Sequence, residues 1–149
     1  MKFGNQGKGN GMAGAVTGSV RRVLRLEGLC VLIAVALVYP EAGFGWGTFA
    51  LFFLAPDLSF IGYLAGARAG ALAYNAAHSY IGALACLVAG SLLAVPALSC
   101  AGLIWCAHIG FDRALGYGLK YSEGFGFTHL GVIGRLARTA PDSPSGRTA

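Results

Sequence analysis

The stretch RRVLRLEGLCVLIAVALVY, from Arg21 to Tyr39, decides what kind of protein this is. Two arginines lead into an apolar run that ends at Pro40, and its length is close to the about 20 residues that a helix needs to cross a bilayer. Paired arginines before an apolar run also occur in export signals. We predict a permanent anchor instead, because no convincing small-residue cleavage site follows and three more apolar segments do.

The composition of the whole chain supports a membrane protein. Of its 149 residues, 56% are hydrophobic and 11% are charged, and the mean hydropathy is +0.64. An ordinary soluble domain is about 25% charged. A soluble fold of this size could not bury so much apolar surface, because small domains have a high ratio of surface to volume.

Four apolar segments predict an all-α membrane protein, a compact bundle of four transmembrane helices. The predicted spans are residues 23–39, 44–64, 69–95 and 97–117, within a membrane domain of residues 23–134, and residues 1–22 and 135–149 are predicted to be flexible basic tails. Pro56 interrupts the second span, because proline cannot donate a helix hydrogen bond. Asp57 is expected to cap the half-helix that follows, to face other polar groups, or to do both.

The distribution of positive charge sets the predicted orientation. All eleven Lys and Arg residues fall on the membrane side that holds the N terminus. Because cytoplasmic loops carry an excess of Lys and Arg, we predict a multi-pass protein with both termini in the cytoplasm. The net charge of +5 lies mainly in the tails, where anionic headgroups are the expected partner. We therefore expect membrane lipids as partners and no nucleic acid, and the sequence also allows a homo-oligomer.

Polar groups from all four spans fall at one level near the cytoplasmic side. They are predicted to form a polar pocket, and they are Glu27, Asp57, Tyr74, Asn75, His78, His108 and Asp112. Asn75 and His78 are three residues apart, so they share one helix face. The same holds for His108 and Asp112, which are four apart. A charge facing lipid costs at least about 2.5–3.5 kcal/mol near the bilayer centre, so these groups should face each other or water.

The segment AHIGFDRALGYGLKY, residues 107–121, carries two predicted roles. Asp112 should accept a hydrogen bond from His108 one turn earlier and so fix the tautomer of that ring. Arg113 and Lys120 should point outward as interfacial anchors. For His129, a surface position is the default expectation, although it could fold back onto the cytoplasmic face.

A divalent metal is a sharper interpretation of the same polar groups. Candidate ligands are His78, His108, Asp57 and Asp112, which offer the nitrogen and oxygen atoms that zinc and similar ions use. The chain has no H-E-x-x-H and no other tight ligand motif. A hydrogen-bonded polar core therefore explains the residues without a metal, and the cofactor stays open, with a divalent metal as the candidate.

Several motifs together resemble a known family. They are RLEG, then FLAPDLSFIGYLAGARAGALAYNAAHSYIGALA, then AHIGFDRALGYGLKY and THLGVIG. The chain from Arg25 to Gly134 resembles the small bacterial membrane proteins of domain-of-unknown-function family 4260. The resemblance implies a compact four-helix domain in the bacterial inner membrane, with no established activity. The positions that match its motifs are Glu27, Pro56, Asp57, Tyr74, Asn75, His78, His108, Asp112, Arg113, Gly116, Tyr117, Lys120 and His129.

Three functions are compatible with these residues. The first is a structural, ligand-binding or lipid-binding membrane module. The alternative is an intramembrane metal-dependent hydrolase that uses His78, His108 and carboxylates to activate water. The third is a proton or ion pathway, which the apolar outer half of the bundle disfavours unless the chain oligomerises. Whether the protein is an enzyme stays open, and no catalytic residue is assigned.

Overall fold

The structure, a computed structural model, describes residues 15–122 and 125–133 and is mostly helical. The helices are α1 Gly18–Val38, α2 Trp46–Phe52, α3 Ala67–His78, α4 Tyr80–Leu92 and α5 Pro96–Leu115, and two 3-10 helices lie at Tyr39–Ala42 and Ala55–Ala65. The first helix begins at Gly18, before the predicted start at Val23. Most of the two predicted tails lies outside the described residues.

Two of the predicted spans are broken. In the second, α2 ends at Phe52 and the longer 3-10 helix begins at Ala55, so the interruption expected at Pro56-Asp57 is present. Asp57 does not cap this segment with its side chain. The third span, predicted to be continuous, is split at Ser79, whose extended backbone (φ −94°, ψ 147°) separates α3 from α4. No proline or glycine marks this second break.

Helix α5 is the most buried element of the described fold. It packs against both α1 and α4, while α3 packs against the 3-10 helix Ala55–Ala65. Glycines allow α1 and α5 to approach closely, since a Cβ on Gly110 would lie 2.7 Å from the carbonyl oxygen of Gly28. Small residues serve the same purpose between helices in lipid. At the other end of the pair, the Cys100 thiol lies 3.6 Å from the Tyr39 hydroxyl, so the two helices run antiparallel.

Most of the outer surface suits lipid. Three helical stretches, Gly18–Ala42, Trp46–Ala65 and Ala67–Leu92, are long and apolar enough to cross a membrane. Large apolar side chains on them are exposed, and Leu64 and Ile81 are 88% and 80% exposed. A surface this apolar is rare on soluble proteins. Helix α5 has 20 residues but is not among the three, because it carries polar groups that the fold buries.

A short β-hairpin follows α5 and is an addition, within the described residues, to the predicted helical fold. Strand β1, Phe127–Thr128, pairs antiparallel with β2, Gly131–Val132. Lys120 forms an isolated bridge to Thr128, and the amide of Val16 donates to the carbonyl of His129 over 2.8 Å. The hairpin thereby connects the chain after α5 to the chain just before α1.

Candidate functional site

Three atoms that can bind a metal ion, each from a different helix, meet in the interior of the fold. The Nε2 atoms of His78 and His108 are 3.1 Å apart. Asp57 Oδ1 lies 3.4 Å from the first and 3.5 Å from the second. These three residues are called the triad below, and they are the set of His, Cys, Asp and Glu side chains in the described residues that could hold a metal ion. The sequence prediction named all three.

The backbone near Ser79 positions His78. The residue is the last of α3, and its Nδ1–H donates to the carbonyl of Tyr74 over 3.0 Å. A carbonyl only accepts hydrogen bonds, so Nδ1 carries a proton, and in the neutral ring a lone pair remains on Nε2, which faces the triad. The Tyr74 ring stacks on the imidazole, with 3.7 Å between centroids and an interplanar angle of 11°. Both contacts fix the orientation of the ring.

Asp112 belongs to the site, but its predicted partner is wrong. Its Oδ2 accepts a hydrogen bond from the Tyr74 hydroxyl over 3.0 Å and lies 3.6 Å from His78 Nε2. Nδ1 of His108 is buried and has no hydrogen-bond partner in the described residues. The helical spacing correctly placed Asp112 on the inner face of α5, but its carboxylate there accepts a hydrogen bond from Tyr74 of α3. Asp112 therefore contacts Tyr74 and His78, and not His108 as predicted.

The site is deep but not sealed. His78 and His108 are 2% and 1% exposed, whereas a third of the Asp57 side chain (33%) is accessible. Aromatic rings cover the rest, since Phe53 packs edge-on against His108 and Phe60 lies beside His78. Asp57 is thus the most exposed member of the triad.

Asn75 and Lys120 hold the segment after α5 against α3. The Asn75 side chain donates to the carbonyl of Lys120 over 2.8 Å, and the Lys120 amide donates back to Asn75 Oδ1 over 2.7 Å. Asn75 therefore fixes the segment after α5 rather than a triad side chain. Lys120 is 4% exposed, and its Nζ donates to the carbonyl of Phe125 and lies 3.8 Å from that ring's centroid. The prediction of an outward anchor is wrong for Lys120, because the chain folds back after α5.

Burial lowers the pKa of Lys120, which lies beyond the end of α5, to about 8, and nearby Asp112 opposes the shift. Between about pH 8 and the ordinary lysine range, the unfolded chain binds more protons than the folded chain, so this residue makes the fold more stable as pH rises. We expect the denaturation midpoint of the wild type, measured relative to that of Lys120→Met, to rise from pH 7 to pH 10. Parallel curves would show that Lys120 is solvated.

Arg113 also faces inward and meets His129, contrary to the outward anchor that we predicted. Arg113 Nη2 donates to the carbonyl of His78 over 3.2 Å, and its Nη1 lies 3.3 Å from the His129 ring. The amide of Leu119 donates to His129 Nδ1 over 2.8 Å. Burial, and then the charge of Arg113, lower the pKa of His129. His129 thus folds back onto the helices as a neutral ring, and is not the surface histidine expected by default.

Glu27 lies apart from the triad. It is exposed on α1 and lines a separate cavity of about 290 Å³ together with Tyr80, Arg113 and His129. The shared level in the membrane therefore did not bring all seven predicted pocket residues together. The structure groups Asp57, Tyr74, His78, His108 and Asp112, pairs the Asn75 side chain with the backbone of Lys120, and leaves Glu27 on another face.

The fold and the site together define a class of protein. It is a helical protein with a surface suited to a membrane and a buried cluster of imidazoles and carboxylates. The family described as Domain of unknown function (DUF4260) matches residues 21–133, and the chain belongs to this family. No curated protein and no solved structure matches the chain.

Proposed function

We propose that this protein is a ligand-binding membrane module that holds a divalent metal ion, of the zinc type, on Asp57, His78 and His108. The observation that carries the proposal is the triangle of donor atoms, with sides of 3.1, 3.4 and 3.5 Å. Zinc binds imidazole nitrogen and carboxylate oxygen at about 2.0–2.2 Å, and two ligands of a tetrahedral ion are then about 3.3–3.6 Å apart. The two sides that join Asp57 to the imidazoles fall in this range, and the side between the imidazoles, 3.1 Å, is slightly shorter, so the triangle is close to one face of such a tetrahedron.

The hydrogen-bond inventory also favours a cation over a polar core. In the neutral ring, His78 Nε2 carries a lone pair because the proton is on Nδ1, and Asp57 as a carboxylate only accepts hydrogen bonds. A proton on His108 Nε2 could satisfy one contact at a time, and the contact between His78 and Asp57 would still join two acceptors. A metal ion satisfies all three contacts together. Tyr74 then acts as the outer partner that orients a metal-bound imidazole through its backbone carbonyl.

Three protein ligands leave one position of a tetrahedral ion open. Structural zinc sites are closed by four protein ligands, whereas sites that bind a ligand or substrate keep a position for water. We infer that the fourth position takes the ligand. Asp112, 3.6 Å from His78 Nε2, is the one further carboxylate in the described part of the site.

The second candidate function is a metal-dependent hydrolase, and the position of Asp112 is the observation that favours it. A metal lowers the pKa of bound water and so generates a nucleophile at neutral pH. Asp112 could accept the proton of that water, while the Tyr74 hydroxyl holds the carboxylate in place. Asp112→Asn separates the two functions, because a hydrolase loses turnover and a binding module keeps its metal and its ligand.

Measuring the metal content of the purified full-length chain tests the proposal most directly. The protein is extracted in detergent without added chelator, and its metals are determined by mass spectrometry against protein concentration. We expect close to one equivalent of a single transition metal. After removal with a chelator, added zinc should return to the same stoichiometry. Protein that is folded, as judged by its helical circular dichroism, and that never takes up a metal would contradict the proposal.

The proposed membrane arrangement is a compact bundle of four spans in the bacterial inner membrane, with both termini cytoplasmic. Antiparallel packing of α5 on α1 supports it, because α5 then returns to the side where α1 begins. Reporter fusions after Ala42 and after Ala149 should report opposite compartments, periplasm for the first and cytoplasm for the second. Signals from the same compartment for both fusions would contradict an even number of crossings.

A further inference from the structure

An apolar cavity of about 570 Å³ lies next to the triad. Its volume is within the range of about 300–1,000 Å³ typical of small-molecule pockets. The wall includes Phe44, Phe52, Ile104 and Trp105, and none of its lining residues is charged. A site with so little polarity selects an aliphatic or aromatic group rather than a polar metabolite.

The cavity opens on the surface that we assign to lipid. Phe52, Ala55, Ala97 and Ala101 line it and are themselves exposed, so they form its mouth. Leu51, beside the mouth on α2, is 75% exposed. In a bilayer, this surface meets hydrocarbon chains. A chain can therefore enter sideways from the membrane without crossing water.

Each member of the triad follows a cavity-lining residue in the sequence, either directly or after one helical turn. Pro56 and Ala77 line the cavity, and each is followed at once by a triad residue, Asp57 and His78. On α5, Ile104 lines the cavity and His108 follows one turn later. Residues four apart lie on one face of a helix. Near neighbours in sequence of all three triad residues therefore line the cavity, although the triad side chains themselves do not.

We propose that the cavity holds an acyl chain of a bilayer phospholipid, with the polar end of the lipid directed at the triad. The chain-binding half stands on the cavity alone, whereas the placement of the polar end rests on the proposed metal site. A phospholipid matches both environments, since its chain suits the uncharged cavity and its phosphate and ester oxygens are ligands for a divalent ion. The ligand class of this protein is then a membrane phospholipid.

Tryptophan quenching by brominated lipid tests the chain-binding half. The chain has two tryptophans, and Trp46→Phe leaves Trp105, in the cavity wall, as the sole emitter. This protein is placed in nanodiscs that contain phosphatidylglycerol with dibrominated acyl chains. In this background, Ala101→Phe fills the mouth, and we expect it to reduce the quenching of Trp105 by about half or more, because a packed aromatic ring excludes the chain.

Ala85→Phe is the matched control, because Ala85 is exposed on α4 and does not line the cavity. It should leave the quenching unchanged. Ala55→Phe blocks the mouth from the opposite wall and decides the result if Ala101→Phe fails to fold. Equal quenching in the folded mouth variants and in Ala85→Phe would overturn the chain-binding half.

Zinc dependence tests the polar half and separates it from the proposed function. With zinc bound, the brominated phosphatidylglycerol should reach half-maximal quenching at a lower mole fraction than in chelated protein, and His78→Ala should remove this difference. A protein that binds zinc but shows no such difference overturns the placement of the polar end. A protein that binds no zinc, yet still responds to Ala101→Phe, overturns the metal site and leaves the acyl cavity in place.

Discussion

Replacing either His78 or His108 with alanine should abolish stoichiometric metal binding, with a dissociation constant for zinc at least about 100-fold weaker than that of the wild type. Loss of an outer-sphere partner already costs about 10–100-fold in affinity, and these residues supply two of the three donor atoms of the triad. The measurement is competition with a chromophoric chelator on the detergent-solubilised full chain, together with metal content by mass spectrometry.

His129→Ala is the control, because it is the one histidine of this chain outside the triad. Its Nδ1 accepts a hydrogen bond from the Leu119 amide, so it packs the segment after α5 without reaching the triad. We expect His129→Ala to keep the metal at wild-type stoichiometry. Equal loss of metal in all three variants would mean that folding, and not ligation, explains the result. Metal retained by both triad variants would end the metal proposal.

Adding one methyl group to either glycine at the contact between α1 and α5 should destabilise the protein strongly. A Cβ on Gly28 would lie 2.8 Å from the carbonyl oxygen of Gly110, and one on Gly110 would lie 2.7 Å from the carbonyl oxygen of Gly28. These oxygens belong to the backbone of the facing helix, and the atom nearest to a Cβ on Gly28 is the Cβ of Arg113, which cannot move without its backbone, so the two helices must separate. Overpacking of this kind costs about 1–3 kcal/mol, which exceeds the gain of up to about 1 kcal/mol in helix propensity.

The measurement is the denaturation midpoint of Gly28→Ala and Gly110→Ala in the same detergent. Gly47→Ala on α2 is the control, because a Cβ there meets nothing within 4 Å. It should be neutral or slightly stabilising, since alanine is the better helix former. If Gly28→Ala and Gly110→Ala match Gly47→Ala, then α1 and α5 are not in close contact in the membrane. Because Gly28 also faces Arg113, its substitution should displace the arginine that contacts His129.

The sequence predicted the triad more successfully than the residues around it. Asp57, His78 and His108 are polar residues in apolar surroundings, and the cost of exposing them to lipid required that they meet. The same reasoning grouped Glu27 with them and was wrong, because depth in the membrane does not say which face of a helix a residue occupies. Lys120 was assigned to the interface on its charge and its position after α5. It is buried because the chain turns back there.

The amino-acid sequence by itself determined that the chain is mostly helical and suited to a membrane, and that Asp57, His78 and His108 should meet away from lipid. Apolar content and periodicity are local properties, so they can be judged for each segment of the sequence separately. Only the tertiary structure decided the break at Ser79, the pairing of Asp112 with Tyr74 instead of His108, and the cavity beside the triad. Each of these depends on which faces of separate helices come into contact. The close packing of α5 on α1 and α4 determines these contacts, and it depends on residues that are far apart in the sequence.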